Sequence, residues 1–338
     1  MTTLAIIGAG RMGQRHIGVA RKLDLQICGI VDLRSNALFD AQAVYGLANN
    51  LLFANHDALY EVIVPDILII STTADSHCEL TCAAAERGVK YILVEKPLAV
   101  SLEECERMMS VCRRYGARLS VNHQMRFMEQ YSKPKALLDS DAYGGLKSMT
   151  VVGGNFGISM NGTHYFEAFR YMVNEAPVSV TAWFDPDAVA NPRGPQFQDR
   201  AGSIRVTTES GKRLYIEIGC EQGHGLEVIY AARNGMITIS ELTGSMRLAV
   251  RQSEYRDLST TRYGMPAESF HETIAPVEVI DSTAMVLNAL LKGENIVTAE
   301  EGMMAIKVLV AAYTSAENGN IPVRLDERLD RTRIFPWA

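Results

Sequence analysis

Residues 4–13 read Leu4-Ala5-Ile6-Ile7-Gly8-Ala9-Gly10-Arg11-Met12-Gly13, an apolar strand that runs directly into the pattern G-x-G-x-x-G. Gly8 permits the tight turn from strand to helix, and Gly10 has no side chain to hold a pyrophosphate away from the backbone. Gly13 lets the following helix pack closely on the strand, and the free N–H groups of that helix point at the phosphates. The stretch therefore predicts a dinucleotide site formed by Gly8, Gly10, Arg11, Met12 and Gly13.

The residue that closes the next predicted strand, Asp32, lies 19 residues beyond Gly13. A carboxylate there can accept hydrogen bonds from both ribose hydroxyls of the adenosine and repels a 2′-phosphate, which favours NAD. Arg34, two residues later, can instead stack on adenine or pair with a 2′-phosphate, so NADP stays open. The alternative for Arg34 is an exposed residue at the start of a helix.

Length and composition limit the class of protein. At 338 residues the chain exceeds one ordinary core, so two domains are expected. A formal net charge of −6 argues against a nucleic-acid or anionic-membrane partner, because both need a concentrated basic surface. No apolar run approaches the length of a membrane span. The first predicted strand begins almost at Met1, which leaves no room for a signal peptide and predicts a cytoplasmic protein.

The cysteines give no sign of a disulfide framework or a metal site. No C-x-x-C pair occurs, and although Cys78 and Cys82 are one helical turn apart, no second Cys or His pair at ligand spacing joins them. We therefore expect reduced, mostly buried thiols and no bound metal.

The first part of the chain alternates short apolar strands with amphipathic helices. The strands are predicted at 4–7, 26–31, 51–53, 66–71, 90–94 and 117–121, and the helices begin near residues 13, 35, 56, 75 and 101. Ser101 and Glu104 form a capping box at the last of these helices. This alternation predicts an α/β fold, with residues 1–122 as a Rossmann domain whose ligand crevice lies at the carboxyl ends of its parallel strands.

After residue 122 the pattern changes to strands with a period of two. A helix at 128–138 precedes strands at 148–152, 178–184, 203–208, 213–218, 227–232, 236–241 and 246–251, and a further helix at 161–174 is inserted early. Helices at 282–291 and 299–316 end the chain and are expected to pack near the first domain. Residues 123–338 are thus predicted to form an α+β domain with a large open antiparallel sheet.

Turn residues mark the connections in this second half. Asn234-Gly235 predicts a hairpin with positive φ at both positions, and Ser210-Gly211 predicts a weaker one. Residues 185–202 are rich in proline and glycine, and residues 252–276 are polar. Each segment either borders a substrate pocket or is a solvated connection or subunit contact.

Polar side chains follow the fourth and fifth predicted strands, where the crevice should lie. Ser71, Thr72 and Thr73 end the fourth strand, and small hydroxyl groups there can line the central part of the cofactor. His77 begins the next helix, where a cofactor contact and a structural hydrogen bond are equally good explanations.

The fifth strand ends in Val94-Glu95-Lys96-Pro97. A charged pair at this place is difficult to explain by packing. Lys96 can hold a substrate hydroxyl and ease its deprotonation, while Pro97 stiffens the turn and favours an extended backbone at Lys96.

Taken together, these motifs resemble those of the glucose–fructose oxidoreductase, inositol dehydrogenase and rhizopine-catabolism dehydrogenase family, usually written Gfo/Idh/MocA. The resemblance covers nearly the whole chain. It rests on the glycines with His16, on Thr72-Thr73 with His77-x-Glu79, on Glu95-Lys96-Pro97-Leu98-Ala99, on Asn122-x-x-x-Arg126-Phe127 and on Gly162-Thr163-His164. It implies a Rossmann domain, a predominantly antiparallel second domain, and oxidation or reduction at a sugar or cyclitol carbon with Lys96 and a histidine at the reaction centre.

That histidine is expected to be His164. In Ser159-Met160-Asn161-Gly162-Thr163-His164, Asn161 is a candidate N-cap, which would place His164 in the first helical turn. The helix dipole there disfavours imidazolium, so a neutral ring can accept the proton that hydride transfer leaves behind. The alternative is a structural histidine buried against the sheet.

The sequence departs from the family pattern beside His164. Members commonly show Asp-x-Gly-x-His-x-x-Asp, whereas this chain has Met160 in the first Asp position and Glu167 in the last. Met160 cannot assist the catalytic group as a carboxylate can, and Asn161 can replace it only in part. We predict substrate contacts from Arg126, Asn161 and Glu167, and we add Glu95, Pro97 and Asn122 to the cofactor site.

The sequence thus predicts an NAD(P)-dependent oxidoreductase that transfers hydride at a hydroxyl or keto carbon of a sugar, nucleotide sugar or cyclitol, with Lys96 and His164 as catalytic residues. One alternative is an enzyme that uses NAD transiently for glycoside cleavage, and another is a non-catalytic dinucleotide-binding sensor. The large sheet, with one face uncovered, further predicts a homodimer or homotetramer.

Overall fold

The computed structural model of the chain describes residues 2–154, 157–188, 191, 194–259, 266–275 and 278–335, without the side chains of residues 187 and 188. The fold divides into two compact units. The first comprises Met1–Gln124, Glu278–Ile306 and Arg331–Ala338, and the second comprises Met125–Val277 and Lys307–Asp330. Each unit is therefore assembled from segments that are distant in the sequence.

The strands fall into two sheets, one in each unit. Those of the first unit are β1 (Thr3–Ile7), β2 (Gln26–Val31), β3 (Leu52–Phe53), β4 (Ile67–Ile70), β5 (Tyr91–Val94) and β6 (Arg118–Val121). Those of the second unit are β7 (Leu146–Gly154), β8 (Pro177–Ala188), β9 (Arg200–Thr208), β10 (Arg213–Gly219), β11 (Glu227–Ala232), β12 (Gly235–Ser240), β13 (Ser245–Arg251), β14 (Ala267–Thr273) and β15 (Val323–Arg324).

The helices are α1 (Arg11–Lys22), α2 (Ser35–Tyr45), α3 (His56–Val62), α4 (His77–Glu86), α5 (Leu102–Tyr115), α6 (Glu129–Leu138), α7 (Thr163–Val173), α8 (Val279–Lys292) and α9 (Ala299–Glu317). The predicted cap at the start of α5 forms in part, because Glu104 reaches back to the N–H of Val100 and not to that of the N-cap residue Ser101. The Ser101 hydroxyl accepts from the Glu104 N–H at 3.2 Å, while the Glu104 carboxylate accepts from the Val100 N–H at 3.3 Å.

The sheet of the first unit is parallel throughout, with the order β3-β2-β1-β4-β5-β6. All four residues of β4 are buried, as expected for a parallel strand covered on both faces. The order reverses between β1 and β4, and in such sheets the ligand crevice opens at that point, beyond the carboxyl ends of the strands. The predicted Rossmann sheet is therefore confirmed.

Helix α8 is part of this first unit although it lies far along the chain. It packs against α1, where a Cβ atom at Gly18 would come within 2.9 Å of Ile280 Cδ1. The Leu290 carbonyl at its other end accepts a hydrogen bond from Arg118 of β6 at 3.0 Å. A late segment thus completes the covering of the parallel sheet.

The sheet of the second unit has nine strands in the order β14-β13-β12-β11-β7-β10-β9-β8-β15. It is mixed rather than wholly antiparallel, because β7 and β10 pair in parallel. The segment between them contains α7, β8 and β9, so the chain re-enters the sheet at β10 in the same direction as β7. All other pairs are antiparallel.

One detail of the predicted connections was wrong. The hairpin at Asn234-Gly235 forms, but neither residue has positive φ. Gly235 is required by packing instead, since a Cβ atom there would lie 2.4 Å from the Ala249 carbonyl oxygen and 2.8 Å from the Tyr143 ring. At Ser210-Gly211 the turn does use positive φ, with Gly211 at +81°.

The two predicted loops are also shorter than expected. The segment 252–276 contains β14, an edge strand whose seven residues are all exposed and which pairs with β13. The segment 185–202 is entered by the end of β8 and the start of β9. Residues 189–190, 192–193, 260–265 and 276 of these segments lie outside the described residues.

The strands of the second sheet alternate between a buried and an exposed face. Along β8, β9 and β10 the buried positions include Val180, Val206 and Ile216. On the opposite face, Trp183 and Tyr215 expose 49% and 37% of their surface. One face of the sheet therefore packs within the unit, and the other presents large apolar side chains outward.

Within the described residues, no helix combines the length and the apolar character needed to cross a membrane. All six cysteines carry free thiols, and five of them are buried. The described side chains likewise contain no cluster of His, Cys, Asp and Glu that could hold a metal ion.

Candidate active site

The glycine turn at the end of β1 has the geometry that the sequence predicts. Gly8 has a φ of +99°, and a Cβ atom there would lie 2.7 Å from the Ser71 carbonyl group. A Cβ atom at Gly13 would lie 1.8 Å from the Gly8 oxygen. Both positions therefore exclude any side chain, the first because of its backbone conformation and the second because α1 crosses directly over the turn.

The middle glycine of the pattern, Gly10, leaves an open cradle at the start of α1. Gly10 is the N-cap residue and no side chain caps this helix end. Among the described residues outside this turn, the Arg34 guanidinium is the group that borders the space beside the Gly10 Cα, and its Nη2 would lie 3.5 Å from a Cβ atom placed there. An uncapped helix N-terminus beside a residue without a side chain suits the pyrophosphate of a dinucleotide, so the residues present fit this cofactor.

Asp32 follows β2 beside this turn, and its buried carboxylate is already bound by protein donors. Oδ2 accepts from the Ala9 N–H at 2.8 Å, and Oδ1 accepts from the Arg34 N–H at 2.9 Å. The Arg34 guanidinium adds two bonds, each of 3.1 Å. Burial raises the pKa of Asp32, but the hydrogen bonds from Arg34 and Ala9 outweigh it and hold the pKa below its ordinary value.

Two of the hydroxyl residues after β4 form hydrogen bonds within the first unit. The Ser71 hydroxyl donates to the Gly8 carbonyl at 2.8 Å and so fixes the glycine turn from the neighbouring strand. The Thr72 hydroxyl accepts from the Ser76 hydroxyl at 2.7 Å. All three residues of Ser71-Thr72-Thr73 are half-buried.

His77 is buried beneath this edge rather than open to the crevice. Its Nδ1 lies 3.0 Å from the Pro97 carbonyl oxygen, and its Nε2 lies 3.3 Å from the Thr72 carbonyl oxygen. Burial lowers the pKa of His77, although the hydrogen bonds to these carbonyl oxygens oppose the shift. The ring thereby ties the end of β4 to the segment that follows β5.

Glu95 is the centre of a buried hydrogen-bonded network in the first unit. Its Oε1 lies 2.7 Å from His16 Nε2 and accepts from Asn122 Nδ2 at 2.8 Å. Asn122 Nδ2 also lies 3.5 Å from the Thr283 hydroxyl on α8. Burial raises the pKa of Glu95, but the hydrogen bonds from His16 and Asn122 and the charge of Lys96 have the larger effect. The pKa therefore lies below its ordinary value, and the carboxylate is ionised at neutral pH.

Lys96 lies between two residues whose positions this packing fixes. Glu95 is held by its network and by a 2.9 Å bond from its N–H to the Ile70 carbonyl, and the carbonyl of Pro97 is held by His77. Lys96 itself is half-buried, and its peptide bond to Pro97 is cis. It follows β5 directly, at the same edge of the parallel sheet as the glycine turn and Asp32.

In the second unit, His164 is the second residue of α7 and is half-buried. The predicted N-cap at Asn161 was wrong. A π-helical turn, Ile158–Gly162, precedes α7, so that Asn161 lies within helical backbone and its N–H donates to the Gly157 carbonyl at 3.0 Å. Counted from Ile158, where the helical backbone begins, His164 is beyond the first turn, so the dipole argument for its neutrality loses its basis.

The start of this π-helical turn is capped by Asp199, which sequence reasoning missed. The buried Asp199 carboxylate accepts from the N–H groups of Ser159 and Met160 at 2.7 Å and 2.8 Å. A Cβ atom at Gly157 would lie 1.9 Å from Asp199 Oδ2, so the glycine admits the carboxylate. Asp199, from the segment before β9, therefore holds the backbone of Ser159 and Met160 in place.

We expect Asp199→Asn to destabilise the second unit by about 1–3 kcal/mol, because the amide cannot accept from all the buried N–H groups that the carboxylate satisfies. Thermal unfolding measures the loss, and hydrogen exchange at the Ser159 and Met160 amides should accelerate with it. The control is Asp141→Asn, which removes an exposed carboxylate from the same unit. Equal stability of the two variants would contradict the capping role.

Glu167, one turn beyond His164 on α7, is fully buried between two arginines. Its Oε1 accepts from Arg126 and, at 3.0 Å, from Arg170. The Arg126 guanidinium also lies 5.6 Å from the centre of the Tyr171 ring. The two arginines bind Oε1, whereas Oε2 is buried and has no hydrogen-bond partner among the described residues, so a substrate could reach the carboxylate only if the side chains that bury it moved.

Sequence reasoning also missed a buried carboxylate that joins the helices of the second unit to its sheet. Glu241 accepts hydrogen bonds from the hydroxyls of Tyr131 on α6 and Tyr165 on α7, the latter at 2.8 Å. Burial raises the pKa of Glu241 against the effect of these two bonds. The only signal in the sequence was a glutamate at the end of an apolar strand.

Comparison with known proteins agrees with this geometry. Residues 2–123 match the family described as "Oxidoreductase family, NAD-binding Rossmann fold". The chain is 27% identical over 256 residues to inositol 2-dehydrogenase of Pseudomonas fluorescens (strain SBW25), a match that covers 70% of this chain and 74% of the relative. It is also 27% identical over 195 residues to rhizopine catabolism protein MocA of Rhizobium meliloti, covering 52% and 58%.

Solved structures share the complete fold. An oxidoreductase from Agrobacterium radiobacter, in complex with NAD+, L-tartaric acid and magnesium, superposes with a TM-score of 0.80 at 19% identity and covers 96% of this chain and 98% of its own. An aldose-aldose oxidoreductase from Caulobacter crescentus gives a TM-score of 0.75 at 21% identity, with 96% and 99% covered.

Proposed function

The chain belongs to the Gfo/Idh/MocA oxidoreductases, and on this basis we propose that it is an NAD(P)-dependent dehydrogenase of a sugar, nucleotide sugar or cyclitol. The observation that carries the proposal is the carboxyl edge of the parallel sheet. There the glycine turn, Asp32 and the segment Glu95-Lys96-Pro97 follow β1, β2 and β5. A dinucleotide cradle and an amine at one sheet edge suit hydride transfer at a carbon that bears oxygen.

NAD, when bound, supplies a nicotinamide carbon that accepts or returns a hydride. We assign its phosphates to the first turn of α1 with Gly10, Arg11 and Met12, and its adenosine ribose to Asp32. Ser71, Thr72 and Thr73 border the central part of the cofactor. Glu95, Pro97, Asn122 and His77 support the nicotinamide end from behind, because their polar atoms bind one another within the unit.

Lys96 is assigned to the reacting oxygen of the substrate. Its ammonium group donates a hydrogen bond to that oxygen and stabilises the negative charge that develops as the hydroxyl loses its proton. His164 is assigned as the group that takes or returns this proton. Arg126 and Asn161 complete the proposed substrate contacts, and Glu167 acts on them through its bond to Arg126.

The substrate class follows from the relatives, several of which are inositol 2-dehydrogenases. We therefore expect the hydride to be transferred at a polyol or sugar carbon that bears a secondary hydroxyl, and cyclitols are the first substrates to test. The test is to follow nicotinamide absorbance with each dinucleotide across cyclitols, aldoses and uronic acids. Reduction of the nicotinamide with at least one of them is expected, and dinucleotide binding without turnover on the whole panel would contradict the proposal.

We further propose a homo-oligomer located in the cytoplasm. The support for association is the outward face of the nine-stranded sheet, where Trp183, Tyr215 and Met236 are exposed. The support for a reducing compartment is six free thiols, five of them buried.

A further inference from the structure

The acceptor capacity of Asp32 is filled by the protein itself. An ionised carboxylate has about four lone-pair positions, and four N–H groups occupy them in this structure. Two come from the backbone of Ala9 and Arg34, and the other two are Nε and Nη2 of the Arg34 guanidinium. A ribose diol can therefore reach Asp32 as an acceptor only by displacing some of these donors.

The guanidinium is the donor pair that can leave. The two backbone donors belong to the glycine turn and to the start of α2, which are fixed by the fold. The Arg34 side chain is 65% exposed, and the hydrogen bonds described for it all go to Asp32. When the pair opens, water can solvate the exposed guanidinium, but the Asp32 carboxylate is buried and needs new donors, which the hydroxyls of a ribose diol supply.

The position of the guanidinium brings it against the cofactor cradle. Its Nη2 would lie 3.5 Å from a Cβ atom at Gly10, so the side chain folds back from α2 over the glycine turn. It thus occupies the side of Asp32 that faces the pyrophosphate cradle. When the guanidinium releases Asp32, the Arg34 side chain remains next to the adenosine ribose site and can contact the ribose or its 2′-phosphate.

The pair also changes the electrostatics of the site. An isolated carboxylate repels a 2′-phosphate, but Asp32 and Arg34 together carry no net charge. The guanidinium is moreover a bidentate partner for phosphate as well as for carboxylate.

We propose that Arg34 determines coenzyme preference by competing with the ribose diol of NAD for Asp32 and by pairing with the 2′-phosphate of NADP once it has been displaced. This inference rests on the proposed function, because it assumes that the cradle holds a dinucleotide. The site accepts both coenzymes, and Arg34 weakens the binding of NAD while it supports the binding of NADP.

The test is calorimetric titration of the full-length protein and of Arg34→Ala with NAD and with NADP, in the absence of substrate. Without the competing guanidinium, NAD should bind up to about fivefold more tightly. Without the phosphate partner, NADP should bind at least about tenfold more weakly. Arg114→Ala is the control, since it removes an exposed arginine from α5 of the same unit and should change neither affinity.

A second variant keeps the inference testable if the alanine variant folds poorly. Arg34→Lys retains the charge without the planar fork and should keep part of the NADP affinity while binding NAD more tightly than the wild type. Equal changes in both affinities, or no change in either, would overturn the role of Arg34 while leaving the dinucleotide site intact. If the wild type bound neither coenzyme, the proposed function itself would fail together with this inference.

Discussion

Replacing Lys96 by alanine is expected to lower the rate of nicotinamide reduction by about 10²–10⁴-fold, the range typical for the loss of a positioned acid–base group. The affinity for the dinucleotide should change only a few-fold, because the cradle is built from the glycine turn and α1. Lys96 owes its position to its neighbours, since Glu95 and Pro97 are each anchored by buried hydrogen bonds. Truncating the side chain therefore removes the amine and leaves the backbone in place.

Steady-state kinetics on the best substrate of the panel, together with dinucleotide titration, measure the two quantities separately. Lys90→Ala is the matched control, because Lys90 lies just before the same strand, β5, and forms an exposed pair with Asp66. Its removal should leave turnover within a few-fold of the wild type. Undiminished turnover in the Lys96 variant would exclude this residue from the reaction.

The first unit was readable from the sequence because its signals are local. Short apolar runs bounded by turns gave all six parallel strands, and the spacing of Gly8, Gly10 and Gly13 gave the turn between β1 and α1. The steric need for glycine at positions 8 and 13 follows from contacts only a few residues away or on the adjacent strand. Local pattern and tertiary structure agree here, as expected where a turn, a strand and a helix must meet in one geometry.

The second unit was less predictable, and β14 shows why. All seven of its residues are exposed, so no alternation of apolar and polar positions marks it as a strand. Its structure depends on pairing with β13 at the edge of the sheet, which is a non-local interaction. The parallel pair β7–β10 escaped prediction for a related reason, since strand direction depends on the path of the intervening chain.

In the candidate site, too, the sequence identified residues by local patterns but did not reveal the contacts that depend on the folded structure. Arg34 is only two residues from Asp32 in the sequence, but the sequence did not reveal that its guanidinium donates two hydrogen bonds to the Asp32 carboxylate. Asp199 was invisible as a cap because it lies 39 residues from Met160 and within a segment rich in proline and glycine. An N-cap at Asn161 was the better local choice, and a tertiary carboxylate displaced it.

We expect Glu167→Gln to lower the free energy of unfolding by about 3–5 kcal/mol, because it removes the buried carboxylate that the Arg126 and Arg170 guanidinium groups share. Glu167 has no exposed surface, while the side chains of Arg126 and Arg170 are 9% and 17% exposed. Water therefore has little access to the position of the lost carboxylate. For a unit of this size, the loss corresponds to a fall in Tm of roughly 6–20 °C.

Thermal unfolding with Asp139→Asn as the control separates this effect from an ordinary surface change. Asp139 forms an i,i+4 pair with Lys135 on α6 of the same unit, its side chain is 56% exposed, and its loss should cost about 0.5 kcal/mol or less. Adding Arg170→Gln to the Glu167 variant should restore part of the stability, since one of the two positive charges that shared the carboxylate is then removed. A lower Tm with partial rescue shows that Glu167 holds Arg126 and Arg170 in place. An unchanged Tm with a raised KM would instead show that Glu167 binds substrate directly.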